Sequence, residues 1–170
     1  MQAAGKAILK VALVAAVAVG LGLFVAESPR GAAPAALTGA DYAEIERLYG
    51  LYNQGSDFRD AEMWLSAFAE DAVFRTGPGQ EQRGMAELRA GREARNQGQT
   101  GDNGRRHLNS SFVITATEDG AKGRAYWVLN DVTGPSPTAV ASGYYDDTFV
   151  KTADGWKIQS RTLHRDPAAE

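Results

Sequence analysis

Two histidines stand in this sequence of 170 residues, and the placing of one invites acid–base chemistry. His107 lies beside Arg105, Arg106 and Asn109 at the start of a strand-like stretch, and imidazole is the side chain that titrates near neutrality. If residues alternate between the faces of that strand, His107 points with Asn109, Ser111 and Val113. On the next stretch Asp131 points with Ala125, Trp127 and Leu129. Asp57, just after a first helical segment, and Tyr52, near the end of that segment, complete a set that can meet in one pocket. A carboxylate beside an imidazole fixes its tautomer and makes it a usable proton acceptor.

Each of these residues also has a plainer use. Asp57 stands two residues before Arg59, where a second helix is expected, and an aspartate there caps orphan amides. His107 is equally placed to be an exposed residue at a strand edge. Tyr52 shares a helical stripe with Leu48 as core, and Asp131 suits an ion pair with a nearby arginine or a strand-end cap. Arg161, His164 and Arg165 fall on the last strand as solvent or dimer contacts, Arg161 being the one in reach of a pocket and an anionic group.

Composition removes other chemistries. There is no cysteine, hence no thiol nucleophile, disulfide framework or cysteine-based metal site. Gly77 and Gly79 begin a G-x-G-x-x-G pattern that fails at Gln82, and histidines 57 residues apart make no zinc motif, so neither cofactor nor metal is expected. A net charge of −3 argues against a nucleic-acid partner, which needs a basic stripe.

The elements that must position these groups follow an N-terminal leader. Lys6 and Lys10 precede an uncharged run over 11–26, and Glu27, Ser28, Pro29 and Arg30 follow it, the shape of a signal peptide. Ala33 and Ala35 supply the small residues of a cleavage site, so 1–35 is expected to export the domain to the periplasm or beyond. Left uncut, the segment anchors the domain to the membrane, although 16 apolar residues fall short of the ~20 that span a bilayer comfortably.

Beyond the leader, Thr38 and Asp41 resemble a capping box, and Ile45, Leu48, Leu51 and Tyr52 recur at helical spacing until Gly55, which predicts a helix over 40–54. Ala61, Trp64, Leu65 and Phe68 predict a second helix over 59–69, followed by a short strand over 72–76 and a Gly-Pro-Gly turn. A third helix is predicted over 84–95. Six arginines lie from Arg83 to Arg106, a pattern expected of a solvated face. The Gly-, Gln- and Asn-rich stretch over 96–104 is expected to be a mobile loop, in a position to serve as a flap. Strands are predicted over 106–118, 123–133, 140–152 and 156–164. Helices followed by a meander of long strands make an α+β order with room for one domain.

Several runs together are recognisable: Leu51-Tyr52-Asn53 with Asp57, WLSAFAEDAVF over 64–74, Arg106-His107 opening a strand, Ser142-Gly143-Tyr144-Tyr145-Asp146-Asp147, and Asp154-Gly155-Trp156-Lys157-Ile158 with Arg161. Over 38–166 the chain resembles the SnoaL-like branch of the NTF2-like superfamily, whose members include scytalone dehydratase and bile-acid 7α-dehydratase. The resemblance implies an NTF2-like cone, a strongly curved mixed sheet packed against three N-terminal helices around a pocket, and a homodimer formed through the outer face of the sheet. It implies a cofactor-independent lyase or isomerase in which His107 is the base, Asp57 its orienting partner, Tyr52 a donor to a carbonyl or leaving oxygen, and Asp131 a second acid or orienter. The separations, 50 residues from Asp57 to His107 and 24 from His107 to Asp131, fit that scheme. Trp127, Asn109, Tyr144 and Arg161 are the expected contacts to a small hydrophobic substrate. Asn53 departs from scytalone dehydratase, which has an aspartate there, so that enzyme's substrate does not carry over. A non-catalytic exported ligand-binding protein and a dimeric interaction module remain alternatives.

Overall fold

The computed structural model of the protein describes residues 35–167, so the expected leader falls, apart from Ala35, outside the described residues. Thr38 and Asp41 do form a capping box, with Thr38 Oγ1 accepting the Asp41 N–H at 3.2 Å and the Asp41 carboxylate accepting the Thr38 N–H at 2.8 Å. The helix so started, α1 (Gly39–Asp57), buries Ile45, Leu48, Tyr49 and Tyr52 along one stripe. It does not stop at Gly55. A Cβ on Gly55 would stand 2.5 Å from the Trp64 main-chain nitrogen, so this glycine is where the next helix closes on α1. The extra turn brings Ser56 and Asp57 onto α1 itself.

The second helix, α2 (Ala61–Leu65), is much shorter than its apolar stripe suggests, and β1 (Phe68–Gly77) begins where helix was expected to continue. Phe68 pairs with Ile158 in a parallel ladder, and the Ile158 N–H bonds to the Ala67 carbonyl at 2.8 Å. Long-range strand pairing thus overrides a local helical period. A short edge strand, β2 (Gln80–Arg83), wholly polar and therefore without an apolar period, turns back on β1 and is held by Glu81 between Arg75 and Arg83, each at 2.6 Å. Helix α3 (Gly84–Asn96) follows.

The remaining chain is the expected meander: β3 (Arg105–Thr117), β4 (Gly120–Asp131), β5 (Thr138–Thr152) and β6 (Gly155–Arg165). The six strands form one mixed, curved sheet in the order β2-β1-β6-β5-β4-β3, antiparallel except where β1 runs parallel to β6. Bulges interrupt the ladders, one at Ser111, whose φ of 55° marks the extra residue of β3. With α1 packed on β3 and β6, the sheet encloses an aromatic core of Tyr49, Tyr52, Trp64, Phe68, Phe74, Tyr145 and Phe149. This is the α+β cone that the sequence implied, with one more strand, β2, than the apolar pattern alone revealed and a longer β1.

Candidate functional site

The last turn of α1 meets the first residues of β3. Asp57, 3% exposed, accepts the His107 main-chain N–H on Oδ2 at 2.9 Å and stands 2.6 Å from His107 Nδ1 through Oδ1. A carboxylate at the C-terminal end of a helix faces the negative pole of the helix dipole, which costs about 0.3–1 kcal/mol at exposed positions. Two N–H donors from one residue offset that placement and hold the ring in one orientation. Because an ionised carboxylate can only accept, the ring proton belongs on Nδ1, and Nε2 keeps its lone pair. No hydrogen-bond partner occupies Nε2 among the described residues, and the ring borders a cavity of about 320 Å³.

Asp57 therefore serves the imidazole rather than α2. The cap of α2 is Asp60, whose Oδ1 accepts the Met63 N–H at 2.9 Å. The stretch over 96–104, expected to be a mobile loop, has contacts to the end of α1 and the residues after it: Asn103 donates its main-chain N–H to the Asp57 carbonyl and its Nδ2 to the Ser56 carbonyl, both at 2.9 Å, and Arg59 reaches the carbonyls of Gly101 and Asp102. Gln97, Gln99 and Asn103 close one side of the cavity.

Tyr52 also borders the cavity from within the aromatic core, so it is core and site at once. Burial pushes its phenol above the ordinary range, against the pull of nearby Arg161, Arg92 and Arg95, and it stays a protonated donor at neutral pH. Phe74, Leu129 and Leu163 supply the apolar wall.

The other expected site residues do not reach this cavity. Asp131, the register partner of Arg105, pairs with it at 3.0 Å and accepts from Thr133 N–H and Oγ1 at 2.8 and 2.6 Å, so its carboxylate closes the end of β4. These Thr133 bonds, with Arg105 adding to them, hold its carboxyl below the ordinary range. Trp127 lies in the core, stacked on Tyr145 and donating Nε1–H to the His164 carbonyl. Asn109 accepts from Asn53 Nδ2 at 2.5 Å and donates to the Tyr126 carbonyl, which uses it to fasten β3 to α1. Tyr144 stacks on His164 away from the cavity, with ring centroids 4.4 Å apart.

Arg161 is fully buried. It is bonded to Asp147 through Nε at 2.9 Å and Nη2 at 2.8 Å and enclosed by the rings of Tyr49, Tyr52 and Tyr145. It supports the core beneath the site and is out of reach of a ligand.

The residues that sequence reasoning missed are the cavity's arginines: Arg59, Arg92, Arg95, Arg105 and Arg165 all border it. A signal was present. Leu88, Arg92 and Arg95 recur at helical spacing on α3; Leu88 and Arg92 are buried on the core-facing stripe, and Arg95, exposed, continues the same face to the rim of the cavity.

The SnoaL-like domain model matches residues 38–162, nearly the whole described domain. This chain belongs to the SnoaL-like family. Solved structures agree on the architecture of this SnoaL-like domain. A Nostoc punctiforme protein of unknown function with a cystatin-like fold is 26% identical, with a TM-score of 0.68 over 78% of this chain and 96% of that one. A candidate scytalone dehydratase from Novosphingobium aromaticivorans is 25% identical, with a TM-score of 0.64 over 75% and 85%. An NTF2-like protein with a cystatin-like fold from the same organism, 22% identical with a TM-score of 0.60 over 73% and 80%, shares the fold. No curated protein matches the chain.

Proposed function

We propose that this SnoaL-like protein is a cofactor-independent lyase or isomerase that removes a proton from carbon in a small substrate. The observation that carries the proposal is the Asp57–His107 pair, with Nδ1 committed to a buried carboxylate and Nε2 left to the cavity. Nε2 takes the proton from a carbon next to a carbonyl, the C–H electrons move into the new C–C double bond, and the Tyr52 hydroxyl donates to the oxygen that gains charge. Expulsion of a leaving group then completes an elimination, and return of the proton to another carbon completes an isomerisation. The candidate scytalone dehydratase among the structural relatives supports the elimination branch.

The proposal includes export by the leader, supported by Lys6, Lys10 and the apolar run over 11–26. It also includes a homodimer, supported by the exposed Leu108, Val113, Tyr126 and Val140. The test is exchange of the acidic C–H protons of 2-tetralone in deuterated water, followed by proton NMR. The wild type should accelerate exchange over buffer, and His107→Gln should remove about 10²- to 10⁴-fold of that acceleration. Equal rates for the two proteins would end the acid–base reading.

A further inference from the structure

The walls of the cavity carry an unbalanced charge. Arg59, Arg92, Arg95, Arg105 and Arg165 border it, and no aspartate or glutamate does. Arg105 is neutralised by Asp131, but among the described residues no carboxylate lies within 4.0 Å of Arg59, Arg92, Arg95 or Arg165. Arg92 is the telling member. Its side chain enters the interior until the residue is only 7% exposed, its Nη1 donates to Ser56 Oγ at 2.9 Å, its guanidinium lies 5.0 Å over the Trp64 ring, and its Nε is buried with no acceptor. Burial pushes its guanidinium below the ordinary range and the charge of Arg95 adds to that effect, against the opposing influence of Tyr52 and of the Asp57 carboxylate. A buried guanidinium with an orphan N–H beside a second cation is an expensive arrangement unless something anionic completes it.

We infer that the cavity takes a substrate with its own oxyanion, a carboxylate or phosphate on a compact apolar body, held by Arg92, Arg95 and Arg165 while the apolar part lies against Phe74, Leu129 and Leu163. The guanidinium fork matches either oxyanion. This substrate class rests on the acid–base reading only for its orientation, which brings the C–H bond to His107. It narrows the small hydrophobic molecule expected from sequence to an amphipathic acid.

The test measures binding of 2-naphthoate, 2-naphthyl phosphate and the uncharged methyl 2-naphthoate by titration calorimetry. The wild type should bind at least one anion more than about tenfold tighter than the ester, a difference of roughly 1.4 kcal/mol. The tighter anion names the oxyanion. Arg95→Gln and Arg165→Gln, both at exposed positions that leave the core intact, should each erase most of the preference, as should Arg92→Gln if it folds. Equal binding of ester and anions, preference for the ester, or binding of none at millimolar concentration overturns the inference, as does a preference that survives both exposed substitutions. The same titration on His107→Gln separates the two readings. There anion binding should persist while tetralone exchange is lost; in the wild type, anion preference without accelerated exchange refutes the acid–base chemistry alone, and exchange without anion preference refutes the oxyanion site alone.

Discussion

Asp57→Asn is the sharpest perturbation, because it changes one oxygen for one nitrogen at the centre of the site. In the native protein two carboxylate oxygens serve two donors, the His107 main-chain N–H at 2.9 Å and the ring Nδ1–H at 2.6 Å. Asparagine offers one oxygen. The main-chain N–H is fixed by β3 and retains it, so the amide NH₂ turns to Nδ1, which must then accept. The ring proton moves to Nε2, and the lone pair facing the cavity is lost. Hydrogen bonds to a charged group contribute about 1.5–3 kcal/mol, so the domain loses some stability but keeps its volume and fold. Proton abstraction should fall by about 10²- to 10⁴-fold, the usual weight of a general base.

The assay is direct. With only His107 and His164 in the chain, long-range proton–nitrogen NMR on labelled protein resolves both rings, and His164, stacked on Tyr144 and 3.1 Å from Asp146, serves as the internal reference. The expected result is an Nδ1–H tautomer for His107 in the wild type and an Nε2–H tautomer in Asp57→Asn. A wild-type ring protonated at Nε2, or a folded variant whose His107 signals do not change, would refute the reasoning.

Two further outcomes follow from the polar groups buried elsewhere. Asp147→Ala leaves Arg161 fully buried without its counter-ion and should lower stability by about 3–5 kcal/mol, read as a fall in the urea midpoint at constant slope; a midpoint unchanged within error would show that the pair is not structural. Asp41 has its carboxyl held well below the ordinary range, first by Lys151 and then by Thr38 and Trp156. A carboxyl depressed in the folded state adds stability above its unfolded pKa, about 3.9, and loses it as pH falls toward the folded value. Asp41→Asn should therefore show a lower Tm than wild type at pH 7, with the gap narrowing in thermal scans taken progressively below about pH 4; a gap that widens there contradicts the linkage.

The sequence by itself determined the architecture and the central pair. Periodicity of 3.6 in 40–54 and of 2 in the last four strands depends only on local geometry, so α1, α3 and β3–β6 were legible to within a few residues, and the resemblance joined Asp57 to His107 across 50 residues. Tertiary structure decided the rest. Pairing with β6 turned the end of the expected second helix into β1, and close approach to Trp64 made Gly55 a contact in place of a stop, which put Asp57 on the helix itself. Face alternation could say that Trp127 and Arg161 point inward, but depth below the surface depends on which neighbours cover them, and the aromatic cluster covers both. The arginines are the reverse case. A positive charge on a helix looks solvated until the packing of α3 against the core shows that Arg92 is carried inside with it, and burial is a property of neighbours that no single segment contains.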